Sequence, residues 1–250
     1  MQSKCTRLDR FISVQTGVNR KDVRSMLAQK RIKVDDCFAT DIHQSIHEFS
    51  HVILDEHILQ ARLPVYVMMN KPIGVVSATK DEKNKTVIDV LNEKNSEKNI
   101  ATVNTISSNN TSALHIVGRL DFNTSGLLLL TNDGRWSRRL TTPAQKIEKV
   151  YWVTLANPVT EDYIKAFAEG MYFPYENITT KPAKLDIISD YIAQVSLIEG
   201  RYHQIKRMFG RFQNPVVALH RTAIGNLQLD KALAAGESRL LTAHEVSHIG

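Results

Sequence analysis

Two cysteines, Cys5 and Cys37, are all the chain contains. They show no CxxC spacing and no neighbouring ligand residues, which argues against a zinc site or a disulfide framework. A reducing cytoplasm is the expected compartment. No apolar run approaches the length needed to span a bilayer, and the start has no apolar signal region, so no membrane partner is expected. There is no Gly-rich phosphate loop and no cluster of metal-ligand residues, which disfavours nucleotide hydrolysis and metal chemistry. No internal repeat is evident.

What is present suffices for a sizeable core. The 250 residues are 42% hydrophobic and 23% charged, which fits a soluble globular chain with one large domain, or a small one followed by a larger one. The formal net charge is +6, and the excess is unevenly placed. Residues 1–34 hold nine Lys/Arg against two Asp, a local +7, so the rest of the chain sums to −1. A basic balance favours a polyanion partner, although a solvated basic face gives the same count.

The first segment reads as two short helices and small strands. RLDRFI at 7–12 places Leu8, Phe11 and Ile12 on one side. Asn19 caps a second helix in which Val23, Met26, Leu27 and Lys30 follow helical spacing. Arg20, Lys21 and Arg24 stand near its start. IKVDD then reads as a strand entering a turn, with a further strand around Phe49–Leu54, and residues 55–64 read as a linker closing at Pro64.

Arg7-Leu8-Asp9, Asn19-Arg20-Lys21 and Lys30-Arg31-Ile32-Lys33-Val34 together resemble the S4-type RNA-binding domain. That resemblance implies docking on structured RNA through phosphate contacts, with Arg20, Lys21 and Arg24 among them. The expected organisation is an S4-like domain at 1–60 and a second domain at 61–250.

The second domain opens with the apolar run Val65–Met69. Residues 92–112, rich in Asn and Ser, read as a mobile surface loop. Leu127–Leu130, Tyr151–Leu155 and Gln194–Ile198 read as strands. Glu161–Glu169 reads as a helix with Ile164, Phe167 and Ala168 inward and Gly170 as its stop. Residues 203–212 read as a helix burying Ile205, Met208, Phe209 and Phe212, with His203, Lys206, Arg207 and Gly210 on another face. Strands and helices interleave without a regular βαβ rhythm, so the fold class is α+β.

The segment with most chemical content is Gly118-Arg119-Leu120-Asp121-Phe122-Asn123-Thr124-Ser125-Gly126, followed by four leucines. A carboxylate on a turn-rich loop that runs into a rigid buried strand is well mounted for reaction. An ordinary surface aspartate in a Gly/Asn/Thr turn has the same local pattern.

GRLD with the following TSGLLLLTNDG resembles the catalytic motif of pseudouridine synthases, specifically the RsuA-like family that acts on ribosomal RNA. Asn70-Lys71-Pro72-Ile73-Gly74, Lys149-Val150-Tyr151, the run from Glu199 to Phe209, Leu219-His220-Arg221 and Leu240-Leu241-Thr242 match its further motifs in order. Asn226 departs from the pattern, standing where a glycine is expected after Gly225. The resemblance implies a mixed, largely antiparallel catalytic sheet flanked by helices.

It also implies roles. Asp121 is the catalytic carboxylate, Lys206 its basic partner and Tyr151 the active-site aromatic. Arg119, His203, Gln204, Arg207 and Leu241 contact substrate or RNA. Attack on the sugar, attack on the base and proton abstraction giving a glycal all remain open. The isomerisation needs no redox step or energy input, so no cofactor and no metal is expected. Lys206 with Tyr202 before the histidine resembles the branch acting on small-subunit (16S) rRNA. The expected partner is ribosomal RNA or a small-subunit assembly particle, met by a monomer. A 23S rRNA substrate and a non-catalytic RNA-binding assembly factor are the other readings.

Overall fold

A computed structural model describes residues 5–97 and 114–249. The chain divides into two compact units, Met1–Pro64 and Val65–Gly250. No helix among the described residues is long and apolar enough to cross a membrane.

In the first unit, helices Leu8–Thr16 and Arg20–Ala28 pack on a four-stranded sheet. Gly17 ends the first helix in the left-handed region, at φ 75°, and the Asn19 side chain accepts from the Lys21 N–H to start the second. Strands β2 (Ile32–Val34), β3 (Cys37–Phe38), β5 (Val52–Leu54) and β6 (His57–Gln60) lie in the order β3-β2-β5-β6, and β1 (Thr6–Arg7) pairs separately with β4 (Ser45–Ile46). Ile32 and Val34 face the core while Lys33 faces out.

The stretch expected as a linker carries a strand instead. Asp55 and Glu56 both have positive φ, at 48° and 70°. That is the geometry of a two-residue hairpin whose twist matches its strands. The turn lacks the glycine that usually announces it, so no local signal marks β6.

The second unit is built on a sheet in the order β13-β14-β10-β15-β9-β7-β17. These are β7 (Tyr66–Lys71), β9 (Ser125–Thr131), β10 (Lys149–Leu155), β13 (Lys184–Ser189), β14 (Ile192–Leu197), β15 (Val216–Ile224) and β17 (Ser238–Leu240). β8 (His115–Val117) adds to β9, and β16 (Leu227–Gln228) to β15; β11 (Tyr172–Phe173) and β12 (Ile178–Thr179) pair apart. Among the described strands of this unit, all pairings are antiparallel except β15 with β9.

β9 shows why the leucines run without alternation. Leu128 and Leu130 enter one apolar cluster, with helices Val87–Glu97, Glu161–Glu169 and Gln204–Gly210; Leu127 and Leu129 enter another, with Trp136 and Leu140 of helix Gly134–Thr141 and Ile249. A strand covered on both faces has no polar side to display.

Two further expectations are corrected here. Helix Glu161–Glu169 turns Tyr163 and Phe167 inward and leaves Ile164 and Ala168 exposed. Tyr163 stacks on Phe212 with ring centroids 4.0 Å apart, and this aromatic pair sets the helix phase. The polar stretch from Asn92 begins as the end of helix Val87–Glu97 rather than as a loop; residues 98–113 lie outside the described part.

Candidate active site

Asp121 sits in the loop between β8 and β9, at the end of the sheet. Its main chain closes a turn, with the Thr124 N–H donating to the Asp121 carbonyl at 3.0 Å. Neighbouring segments hold this turn. Ser77 both donates to the Leu120 carbonyl (2.8 Å) and accepts from the Leu120 N–H (3.1 Å). Gly74 N–H donates to the Phe122 carbonyl at 2.9 Å.

The strongest tie is Lys71, at the end of β7. Its side chain is fully buried. Its ammonium donates to the carbonyls of Pro72 (2.9 Å), Thr124 (2.9 Å) and Asp121 (3.2 Å). Burial pushes this ammonium down from 10.5 to about 8; the Asp121 carboxylate opposes the shift and the Arg221 charge adds to it.

Across the sheet, β15 runs parallel to β9, with His220 opposite Ser125 and Arg221 opposite Gly126. Gly126 has φ 106°, and a Cβ there would meet the Arg221 carbonyl oxygen at 2.3 Å. Only glycine permits this approach. Ser125 Oγ and His220 Nδ1 lie 2.9 Å apart across the same pair.

The loop borders a cleft of about 330 Å³, at the small end of the range for small-ligand sites. Of the residues expected at the site, Arg119, Asp121, Tyr151, His203, Gln204 and Lys206 line it. Tyr151 is buried and its hydroxyl accepts from Arg221 Nη1 at 3.4 Å, while Trp152 next to it points to the other face and is exposed.

Several expected arrangements differ. His203, with a left-handed backbone at φ 49°, brings Nε2 to 3.5 Å from Asp121 Oδ2. Among the described residues that is the one side-chain ion-pair contact to the Asp121 carboxylate, and Lys206 lines the cleft with no Asp or Glu oxygen within 4 Å. The helix begins at Gln204 rather than 203, so His203 leaves the helical face it was expected to share.

Gln204 is tied inward. Its amide donates to the buried Glu199 at 2.7 Å and accepts from the Arg201 N–H at 3.1 Å. Glu199 also accepts from Lys181 N–H and Arg201 Nε, which fixes the loop carrying His203.

Arg207 does not line the cleft. It pairs with Glu176 at 2.6 Å and lies over the Phe173 ring at 4.3 Å. Leu241 packs in the cluster around Trp136 on the opposite sheet face. Arg20, Lys21 and Arg24 belong to the first unit and are exposed. Lys71, Ser77, Glu199 and Arg221 were not singled out from the sequence, although Lys71, Glu199 and Arg221 lie inside the matched motifs. Among the described residues no group of three or more His, Cys, Asp or Glu is placed to hold a metal.

Residues 65–210 match the family described as RNA pseudouridylate synthase. The chain is 43% identical over 244 residues to the ribosomal small subunit pseudouridine synthase A of Pseudomonas aeruginosa, covering 97% of this chain and 100% of the relative. The Escherichia coli protein of the same name is 38% identical, with 97% and 99% covered. A solved structure described as a pseudouridylate synthase superposes with a TM-score of 0.67 at 37% identity, covering 98% of this chain and 99% of that one.

Proposed function

The chain belongs to the RNA pseudouridylate synthase family, and on that premise we propose that it isomerises a uridine of small-subunit ribosomal RNA, with Asp121 as the working carboxylate. The observation that carries the assignment is the placement of Asp121. Its side chain is one-third exposed at the cleft, while buried donors from Lys71 and Ser77 fix the main chain behind it. A partly exposed carboxylate on a rigid mount, beside cations and an aromatic, suits a reaction at a glycosidic bond.

The isomerisation breaks C1′–N1, turns the uracil and joins C1′ to C5. N1 gains a proton and C5 loses one, so atoms and electrons balance without a co-reactant. The uridine leaves its stack to reach the cleft, at a cost of a few kcal/mol that backbone contacts offset. Tyr151 stands where the turned base would be held. Lys206, which forms no ion pair among the described residues, and Arg119 are available for phosphates. Arg20, Lys21 and Arg24 give the first unit a basic surface of its own, and we read that unit as an S4-type RNA-binding domain.

The small-subunit substrate is supported by the names of the near full-length relatives. It agrees with a cytoplasmic, monomeric enzyme working on RNA or an assembly particle. The test is tritium release from C5-labelled small-subunit rRNA, large-subunit rRNA and small-subunit assembly particles, followed by mapping of the product. Release confined to large-subunit rRNA would overturn the substrate; no release from any of them would overturn the activity.

A further inference from the structure

Arg221, 3% exposed on β15, lies against both Tyr151 and the segment leading to Asp121. Its guanidinium is unevenly satisfied. Nε donates to the Leu127 carbonyl at 2.8 Å, an ordinary bond. Nη1 is divided between the Arg119 carbonyl and the Tyr151 hydroxyl, both at 3.4 Å, beyond the usual 2.7–3.2 Å. Nη2 is buried and has no partner among the described residues. All the acceptors are neutral oxygens. An arginine that only tied strands together would have its donors filled, because a buried unfilled donor is costly. Bonds at reacting groups are often long in the free enzyme and shorten with substrate bound.

We propose that Arg221 is a positioning residue for the isomerisation: anchored at Leu127, its guanidinium sets the Tyr151 hydroxyl and the Asp121 loop against each other, and its loose edge closes when a uridine fills the cleft. This rests on the reading of Asp121 and Tyr151 as working groups. Arg119 is two residues from Asp121, so its carbonyl is a direct handle on the carboxylate. Shortening both Nη1 bonds toward about 2.9 Å draws the two sides of the cleft together. Lysine cannot do the same, because it lacks the planar fork that reaches three acceptors at once.

The test uses the full chain with Arg221→Lys, Tyr151→Phe and the double variant. Single-turnover tritium release, RNA affinity and the thermal midpoint are measured for each. Arg221→Lys is expected to slow single turnover by about 10–100-fold, the scale of a slightly misplaced reacting group, with RNA affinity within about threefold of wild type. Tyr151→Phe is expected to slow the wild type but to cost much less in the Arg221→Lys background, because the two residues act as one unit. Wild-type speed in Arg221→Lys, a harmless Tyr151→Phe, or strictly multiplicative losses would each overturn the proposal. Absence of turnover in the wild type counts instead against the proposed activity. A measurement on the wild type alone covers a variant that fails to fold. The Arg221 side-chain NMR resonances are expected to shift, with slowed hydrogen exchange, on addition of 5-fluorouridine RNA; unchanged resonances in a saturated complex would overturn the closing motion.

Discussion

The Nζ of Lys71 lies 3.2 Å from the main-chain oxygen of Asp121, and Lys71 is buried rather than part of the cleft lining. A cation thus supports the carboxylate-bearing turn from beneath, without forming a salt bridge with the carboxylate itself.

This arrangement gives opposite pH signs for stability and turnover. Lys71 is held at about 8 in the fold against 10.5 for a free lysine. Between those values the unfolded chain binds more protons than the folded one, so this group's contribution to stability rises across that window and is least favourable below it. Turnover is expected to fall above about pH 8, because a neutral amine has only two hydrogens for three carbonyls. The check is a pH profile of single-turnover rate. Lys71→Met is expected to be slow at every pH and to lack the alkaline limb; a limb of the same midpoint in the variant would refute the assignment.

Asp121→Asn is expected to abolish turnover and leave RNA affinity within a few-fold, because binding is spread over many basic groups. Steady turnover by the purified variant, measured beside filter binding, would rule Asp121 out.

Lys206 and His203 are expected to separate. Lys206→Met removes a cleft cation with no carboxylate partner, so it weakens RNA binding and lowers the log–log salt slope by about one. His203→Ala removes the contact to Asp121 and is expected to act on the turnover rate with an unchanged salt slope. A salt titration and a single-turnover assay on both variants decide it; the reverse pattern would restore the lysine as the carboxylate's partner.

Replacing Arg20, Lys21 and Arg24 together by alanine is expected to lower the salt slope by up to about three. The thermal midpoint is expected to hold, since all three side chains are exposed. An unaltered slope would show that this helix faces something other than RNA.

Local features were legible and long-range ones were not. The Asn19 cap, the bounds of helix Glu161–Glu169 and the buried leucines of β9 each depend on neighbours within a few residues. The inward face of that helix is set by the stacking of Tyr163 on Phe212, far along the chain, which no local spacing shows. Asp121 stood out through its motif, but its supports did not. Lys71 meets its main chain, and Arg221 the nearby Arg119 carbonyl, only through strand pairings, and nothing local marks a lysine or arginine as buried. His203 was placed on a helix it only precedes, since a left-handed backbone at a histidine has no clear sequence signal.

The parallel contact between β15 and β9 has a bearing on how the enzyme comes into being. Ser125 and His220 are 95 positions apart, and they must meet before Arg221 can reach Leu127, Arg119 and Tyr151. Closing so long a loop is slow, because its entropy is lost before any contact rewards it. During synthesis, the Asp121 loop emerges well ahead of the strand that completes its surroundings. A nascent chain therefore carries the Asp121 carboxylate without its surroundings, which are completed late, once β15 has joined the sheet.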